Sequence, residues 1–251
     1  MSLKWPKIVL FGDSQVQHSF GPNGFWGALL ADRFQRVCDV ISRGFSGYTT
    51  RSCRIILPRI FYPENISDVE AFVIVLGTND SSGKEDASEY HVSLQEYAEN
   101  LDAMIDYLQS IGLNKNKIIM MTPGPYHHEK FMKWCYETGK VFPSKDNKLM
   151  AEYVEACLNT AKKHNIDVIN IFQEMMKSQD WSKFLTDGLH FSSDGSHLVY
   201  HLLLPLIEKK IDVTGMLLPY WRDINHIKPK DADENLCYKK CPNMYVQKFH
   251  K

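Results

Sequence analysis

The chain has 251 residues, of which 44% are hydrophobic and 24% are charged, and its formal net charge is −1. This length and apolar content suffice for one large buried core, so we expect a single α/β domain. A nearly neutral chain lacks the basic field that attracts nucleic acid or anionic lipid. No apolar stretch is long enough to span a bilayer. We therefore expect neither nucleic acid binding nor membrane insertion.

Short β-rich runs alternate with longer amphipathic stretches along the first 210 residues. In chain order, strands are predicted at residues 8–11, 37–41, 71–76, 117–121 and 166–171. Helices are predicted at residues 25–34, 50–61, 93–111, 146–163 and 193–210. Several strands are apolar on both faces, as in a buried parallel sheet. Five βα units in series predict a three-layer α/β/α sandwich with a five-stranded parallel sheet, a flavodoxin-like arrangement.

The pattern weakens after residue 210, where an aromatic segment at 219–223 precedes a tail rich in Lys, Asp and Asn. We expect a domain over residues 1–223, ending in an arm packed by its aromatics, and a C-terminal tail over residues 224–251. In the tail, Cys237 and Cys241 lie near His226 and His250, but their spacing does not match a CxxC zinc knuckle. Free thiols are the better interpretation, and we expect neither metal nor cofactor.

The six cysteines are scattered along the chain, unlike the dense spacing of small secreted scaffolds. The first predicted strand begins so close to Met1 that we expect no signal peptide before it. Both observations favour a cytoplasmic protein with reduced thiols. The oligomeric state is left open, with a homo-oligomer among the alternatives.

Three polar side chains stand out at the edges of predicted elements. Ser14 comes just after the first strand, and Asp187 precedes His190 by three residues in a coil-like stretch before the last helix. A hydroxyl, an imidazole and a carboxylate are the groups of acyl-transfer chemistry: a nucleophile, its base, and the acid that holds the base.

The next two strands also end in small and polar residues, at 43–49 and 77–80. The carboxyl ends of parallel strands meet at one edge of the sheet, so these segments are expected near Ser14. A serine that attacks an ester needs hydrogen-bond donors for the developing oxyanion, and the Gly47 amide and the Asn79 side chain would suit. Each motif alone is also a turn sequence, so their joint placement carries the hypothesis.

Other polar residues compete for these roles. Asp194 and His197 repeat the Asp-x-x-His spacing, but Asp194 fits the first turn of a helix capped by Ser192 or Ser193. His197 and His201 lack the glutamate of a zinc protease between them, so packing is expected. Asp13 adjoins the nucleophile, and hydrogen bonding to loop backbone is the better interpretation.

The connection at residues 123–145 is long and rich in aromatic side chains: Tyr126, Phe131, Trp134, Tyr136 and Phe142. Such a segment either covers the sheet as a satellite cluster or forms a pocket wall, and both interpretations stay open. Tyr126 and Trp134 are candidate pocket residues. The histidine pair at 127–128 is expected at the surface or at the pocket rim.

Four segments, GDS at 12–14, SG at 46–47, GTND at 77–80 and DGLH at 187–190, resemble blocks I, II, III and V of the SGNH hydrolase superfamily, also called GDSL esterases. Their order and spacing agree. Within that superfamily, residues 43–48, 56–58, 187–190, 205–210 and 218–223 resemble isoamyl acetate-hydrolysing esterases.

The resemblance implies Ser14 as nucleophile, His190 as base and Asp187 as orienting acid. It implies Gly47 and Asn79 as oxyanion donors beside the Ser14 amide. The activity it implies is that of a serine esterase acting on small, acetate-type carboxylic esters through an acyl-enzyme, with a place in lipid degradation and no cofactor.

One departure is Gln15, where many relatives carry Leu or Ile, and we expect it to alter the pocket rim only. A thioesterase, a lysophospholipase or a carbohydrate deacetylase would use the same site. A non-catalytic binding module is the alternative from another class, with residues 12–14 and Gly47 cradling a phosphate or flavin. The glycine pattern is too sparse for that, and Asp187 and His190 would be left unexplained.

Overall fold

A computed structural model of the chain describes residues 5–83, 90–141, 145–212, 215–218 and 241–242. Its main sheet contains β1 (Lys7–Gly12), β2 (Asp39–Gly44), β3 (Val69–Val75), β4 (Ile118–Met121) and β5 (Asp167–Ile169). The strands pair in the order β2-β1-β3-β4-β5, and every pairing in this sheet is parallel. The predicted α/β fold with a five-stranded parallel sheet is confirmed.

Helices cover both faces of the sheet. They are α1 (Ser14–Gln17), α2 (Trp26–Arg33), α3 (Thr50–Ile60), α4 (Pro63–Ile66), α5 (Leu94–Ser110), α6 (His128–Thr138), α7 (Asn147–His164), α8 (Ile171–Met176) and α9 (Ser193–Glu208). Short 3-10 turns occur at Lys115–Lys117 and Trp181–Phe184. No helix in the described ranges is both long and apolar enough to cross a membrane.

The central strand β1 shows how the two cores are divided. Ile8 and Leu10 belong to the core under α2 and α9, whereas Val9 and Phe11 belong to the core under α3 and α5. All four side chains are at most 1% exposed. Full burial of each contributes about 1.5 to 3 kcal/mol of hydrophobic free energy. Because alternate residues of a strand point to opposite faces, a strand between two helix layers must be apolar throughout.

Most strand boundaries differ by one to three residues from those predicted, and for two of them the structure shows the cause. β2 begins at Asp39 instead of residue 37, because Val37 and Cys38 are buried in the turn that follows α2. β5 ends at Ile169, because the Asn170 side chain accepts a hydrogen bond from the Gln173 amide at 2.9 Å and caps α8.

Besides the four-residue helices α1 and α4, two helices were not predicted. One is α8, in a segment that was expected to end the fifth strand and enter coil. The other is α6, which lies inside the long connection at 123–145 and ends at Gly139 with a φ of +66°. A left-handed residue at that position is a common helix C-cap and favours glycine.

The C-terminal region is only partly described. Gly215–Met216 pairs antiparallel with Cys241–Pro242 as strands β6 and β7. The predicted aromatic arm at 219–223 lies outside the described residues, as do Phe142, Cys237, His226 and His250. The division into a domain over 1–223 and a tail over 224–251 stays a prediction.

Candidate active site

The first three strands end at one place. Gly12 pairs with Gly44 of β2 on one side and with Val75 of β3 on the other. A Cβ at Gly12 would lie 2.1 Å from the Val75 carbonyl oxygen, and a Cβ at Gly44 would lie 1.9 Å from the Gln17 nitrogen. These glycines therefore allow the backbone of α1 to lie directly against the strand ends.

Ser14, His190 and Asp187 lie in one hydrogen-bonded row. His190 Nε2 is 2.9 Å from Ser14 Oγ, and His190 Nδ1 is 2.6 Å from Asp187 Oδ2. The other carboxylate oxygen, Asp187 Oδ1, accepts the backbone amides of Leu189 at 2.9 Å and His190 at 2.8 Å. With both nitrogens of the imidazole engaged, it can pass a proton from the hydroxyl while the carboxylate holds its orientation.

The carboxyl group of Asp187 is kept ionised by its surroundings. Burial alone would raise its pKa, but the hydrogen bond and charge of His190 and the two backbone amides outweigh burial, so the pKa of Asp187 is lowered. A charged carboxylate beside the imidazole stabilises the imidazolium that forms when His190 takes a proton.

The two sides of the loop that carries His190 are joined by backbone hydrogen bonds. Thr186 donates its amide to the His190 carbonyl at 2.8 Å, and Leu185 and Phe191 form an antiparallel bridge. Gly188 has a φ of +92°, and a Cβ there would lie 2.5 Å from the His127 carbonyl oxygen. The tight turn brings Asp187 back over His190.

Gln15 borders the cavity and also contacts the loop of His190. Its side-chain Nε2 donates to the Leu189 carbonyl at 2.8 Å, and its Oε1 accepts from the Phe191 amide at 3.3 Å. The residue is 4% exposed and lines the cavity. That Gln15 alters only the pocket rim stays a prediction, and its amide also holds the backbone on both sides of His190.

Gly47 and Asn79 lie at the same cavity as Ser14. Gly47 has a φ of +82°, in the left-handed region that favours glycine. Asn79 Nδ2 donates to the Tyr48 carbonyl at 2.9 Å. A carboxamide carries two N–H donors, so this bond fixes the Asn79 amide beside Gly47 and leaves its second hydrogen for a ligand.

Two buried carboxyl groups support these loops. Asp80 Oδ1 accepts the Thr50 amide at 2.9 Å and also the Thr50 hydroxyl, which ties the loop after β3 to the first turn of α3. Asp13 Oδ1 accepts the Gln15 amide at 2.9 Å, the backbone contact expected for Asp13. Burial raises the pKa of Asp13 to about 7 and that of Asp80 to about 6.

A cavity of about 760 Å³ opens over Ser14 and His190. Phe131 and Trp134 of α6 line it, with their rings stacked at a centroid distance of 5.5 Å. Tyr126 is not among the lining residues, is 4% exposed and packs against Phe131. Its place in a substrate pocket stays a prediction. The long connection therefore supplies both a pocket wall and a buried cluster.

A lysine joins that wall to the loop of His190. Lys130 lies on α6, and its Nζ donates to the carbonyls of Ser182 at 2.8 Å and Leu185 at 2.9 Å. Both carbonyls lie on the segment that leads into the loop of His190. One ammonium group thus fixes the position of α6 relative to His190.

The competing polar residues lie elsewhere. Ser192 caps α9, as expected, and its Oγ accepts the Gly195 amide at 3.2 Å. Asp194 lies in the first turn of that helix, and His197 contacts the Ser193 carbonyl and the Phe25 ring. None of these, nor the histidines at 127 and 128, lines the cavity. Within the described ranges no group of three or more His, Cys, Asp or Glu side chains could hold a metal ion.

Several cavity residues were not predicted, and two of them, His18 and Lys145, lie next to the candidate site residues. The His18 ring lies edge-on to the His190 ring, with centroids 5.5 Å apart, and burial and the His190 charge lower the pKa of His18. Lys145 lines the cavity near Asn79. His18 is one helical turn after Ser14, a weak signal, whereas nothing in the local sequence marks Lys145.

Comparison with known proteins agrees with this geometry. The family of GDSL-like lipases and acylhydrolases matches residues 8–203. The isoamyl acetate-hydrolyzing esterase 1 homolog of Homo sapiens is 44% identical over 230 residues, covering 91% of this chain and 92% of that protein. Its Mus musculus counterpart is 42% identical over 231 residues, with the same coverage of each chain. The crystal structure of the lipase/acylhydrolase from Enterococcus faecalis has a TM-score of 0.64 and 25% identity, covering 82% of this chain and 97% of that one. The chain therefore belongs to the GDSL-like lipase/acylhydrolase family and is a carboxylic ester hydrolase.

Proposed function

We propose that the protein hydrolyses small, acetate-type carboxylic esters through an acyl-enzyme on Ser14, with His190 as general base and Asp187 as its orienting acid. The observation that carries this proposal is the position of the His190 ring, 2.9 Å from Ser14 Oγ and 2.6 Å from Asp187 Oδ2. A base within hydrogen-bond reach of a hydroxyl, itself held by a carboxylate, is the arrangement that activates a serine.

In the first half of the reaction, Ser14 Oγ attacks the ester carbonyl while His190 Nε2 takes its proton. The amides of Ser14 and Gly47 and the Asn79 side chain donate to the oxyanion. His190 then returns the proton to the leaving alcohol, and the acyl group stays on Ser14. Water, activated by the same imidazole, attacks the acyl-enzyme and releases the acid.

The preference for a short acyl group rests on relatives and on the cavity. The human and mouse relatives are named for hydrolysis of isoamyl acetate, an acetate ester of a branched alcohol. The cavity wall includes Phe131, Trp134 and Leu189, an apolar surface that suits such an alcohol. A place in lipid degradation remains a prediction. A cytoplasmic location also remains a prediction, and the free thiols of Cys53, Cys135 and Cys157 are compatible with it.

A fluorophosphonate probe tests the nucleophile, because it labels an activated serine and not a binding loop. We expect the wild type to be labelled at Ser14 and the Ser14→Ala variant to remain unlabelled. The acetate, butyrate and octanoate esters of p-nitrophenol test the acyl preference, with acetate expected to be fastest. An unlabelled wild type would contradict the serine mechanism, and faster hydrolysis of octanoate would contradict the acetate preference.

The wall is tested by Trp134→Ala, with Tyr136→Ala as the matched control, since Tyr136 lies on the same helix and is 90% exposed. Loss of the indole should shift the ratio of octanoate to acetate rates about tenfold toward the longer ester, because apolar walls discriminate by about 1 to 3 kcal/mol. Tyr136→Ala should leave the ratio unchanged. Equal ratios in the two variants would show that Trp134 does not shape the pocket.

A further inference from the structure

Lys145 connects a distant part of the chain to the loop of Asn79. Its Nζ donates to the Thr78 carbonyl at 2.5 Å and to Ser82 Oγ at 2.9 Å. The Ser82 hydroxyl in turn donates to the Asn79 carbonyl at 2.7 Å. One ammonium group therefore holds two successive carbonyls of this loop, the first directly and the second through a hydroxyl.

The backbone next to Lys145 is fixed by the side chain of Asn147. Asn147 Oδ1 accepts the Tyr126 amide at 2.8 Å, and its Nδ2 donates to the Tyr126 carbonyl at 2.9 Å. This pair of bonds ties the start of α7 to the segment that follows β4. Ser81 Oγ also contacts Met150 Sδ of α7 at 3.2 Å. Lys145 is thus presented to the loop by a separate, anchored element.

The charge of Lys145 faces two buried carboxyl groups, Asp80 and Asp13, on the loops after β3 and β1. Burial lowers the pKa of Lys145 to about 8, while both carboxyl groups act to raise it. Among the described residues, further titratable groups on this side include Tyr90, which lines the cavity, and His91, whose Nδ1 is 2.7 Å from the Ser82 carbonyl. His190 acts on Asp13, and Cys53, Tyr97 and Tyr153 interact with Asp80.

We propose that Lys145 is a positioning residue for the oxyanion site: its ammonium group fixes the carbonyls on both sides of the Asn79 α-carbon, so that the Asn79 amide faces the substrate, and its positive charge favours the oxyanion. This inference rests on the proposed role of Asn79 in ester hydrolysis. The backbone bonds restrict the loop before substrate arrives, and such preorganisation is what gives an oxyanion donor its effect. A nearby cation stabilises negative charge more strongly in a partly buried cavity than in water.

The test compares Lys145→Met and Lys145→Arg with the wild type on p-nitrophenyl acetate, after subtraction of spontaneous hydrolysis. Lys148→Met is the matched control, since Lys148 is an exposed lysine three residues later in the first turn of α7. Lys145→Met should lower kcat by about 10- to 100-fold with little change in KM, because the lost interaction matters in the transition state. Lys148→Met should leave both parameters unchanged.

The pH dependence separates a charged group from a merely structural one. In the wild type, kcat should fall above about pH 8, where Lys145 loses its proton. Lys145→Arg keeps its charge at all accessible pH values, so its kcat should persist at higher pH. Lys145→Met should have no decline in that range.

Several outcomes would overturn the proposal. They are a Lys145→Met variant with kcat within twofold of the wild type, an effect on KM alone, or an alkaline decline that is the same in the wild type and Lys145→Arg. If thermal melting shows that Lys145→Met does not fold, the proposal is decided by comparing how kcat changes above about pH 8 in the wild type and in Lys145→Arg. Failure of the proposed function is distinguishable, because the wild type would then neither hydrolyse the ester nor bind the fluorophosphonate probe at Ser14.

Discussion

The two ends of the parallel sheet differ in how their charged side chains are paired and buried. At the end where the strands begin, charged side chains meet as ion pairs within reach of solvent: Lys117 Nζ is 3.1 Å from Glu70 Oε2, and Lys210 Nζ is 2.5 Å from Asp167 Oδ2. About a third of the Lys117 and Glu70 side chains is exposed. Pairs of this kind contribute about 0 to 1 kcal/mol each.

At the end where the strands finish, Asp13 and Asp80 are fully buried. The Oδ2 atom of each has no hydrogen-bond partner within the described part of the chain. Their raised pKa values show that burial disfavours the charged forms. Among the described residues, the two carboxyl groups that are fully buried thus lie next to Ser14 and Asn79, where the proposed reaction develops charge.

The largest expected effect is at the triad. Ser14→Ala and His190→Ala should each lower kcat by about 10⁴-fold or more, and the double variant should lose little more, because the two groups act as a unit. Asp187→Asn should retain more activity than His190→Ala, since a base is still present. Steady-state kinetics on p-nitrophenyl acetate measures all four variants. Losses that multiply in the double variant would contradict the assignment.

The next effect is at Asn79. Its amide is expected to donate most strongly once negative charge develops, so Asn79→Ala should lower kcat by about 10² to 10³ with little change in KM. Asn79→Asp, which removes the donor and adds a negative charge, should be at least as slow. An increase in KM without loss of kcat would show that Asn79 binds the substrate and does not stabilise the oxyanion. The buried carboxyl groups of Asp13 and Asp80 would then have no connection with its role.

The Asp13→Asn variant tests how much a buried charge at this end of the sheet lowers the free energy of unfolding. The pKa of Asp13 is raised from 3.8 to about 7 in the folded protein, so the folded state binds more protons than the unfolded state between these values. Its contribution to stability is therefore fully present below about pH 4 and is lost as the pH rises through about 7. Asp13→Asn, which does not titrate, should gain on the order of 2 kcal/mol relative to the wild type between about pH 5 and pH 8.

Urea unfolding at these two pH values measures the difference. Glu70→Gln is the control from the opposite end of the sheet, and it should change the unfolding free energy by no more than about 1 kcal/mol at either pH. If Asp13→Asn gained nothing between the two pH values, or if Glu70→Gln gained as much, the two ends would not differ in the way described.

The smallest effect is expected at Gln15. Gln15→Leu leaves the Leu189 carbonyl and the Phe191 amide without their side-chain partner, so the His190 ring should be held less well. We expect kcat to fall about tenfold with KM unchanged. Gln35→Leu, at an exposed glutamine, should have no effect. Full activity in Gln15→Leu would show that Asp187 and the closed loop are sufficient to orient His190.

The fold was predictable because its signals are local. Ile8–Phe11 and similar runs are apolar at every position, and that pattern has few interpretations other than a strand covered on both faces. The grouping of Ser14, Gly47 and Asn79 at one cavity was predictable for the same reason, since each lies within four residues after the end of a strand. Parallel strands bring such positions together whatever the rest of the sequence does.

The missed features depend on contacts between distant residues. Gln15 and Leu189 are 174 positions apart, and Lys145 and Thr78 are 67 apart. No local pattern distinguishes these side chains from an ordinary surface glutamine or lysine. Likewise α6 begins at His128 and contains three aromatic residues, a composition that suggested a loop, and the packing of its Phe131 against Leu189 overrides that composition.

The attachment of α6 through Lys130 has a consequence for how selectivity can evolve. Lys130 Nζ holds α6 against the segment that leads to His190, and the His127 amide donates to the Gly188 carbonyl at 2.8 Å, so hydrogen bonds as well as packing fix this helix beside the loop. We expect substitutions at Trp134 to reshape the proposed pocket while the hydrogen bonds of His190 persist. A change at Lys130 would alter both at once. Single substitutions on the cavity face of α6 could therefore change the substrate preference, whereas Lys130 must be retained to keep the helix in place.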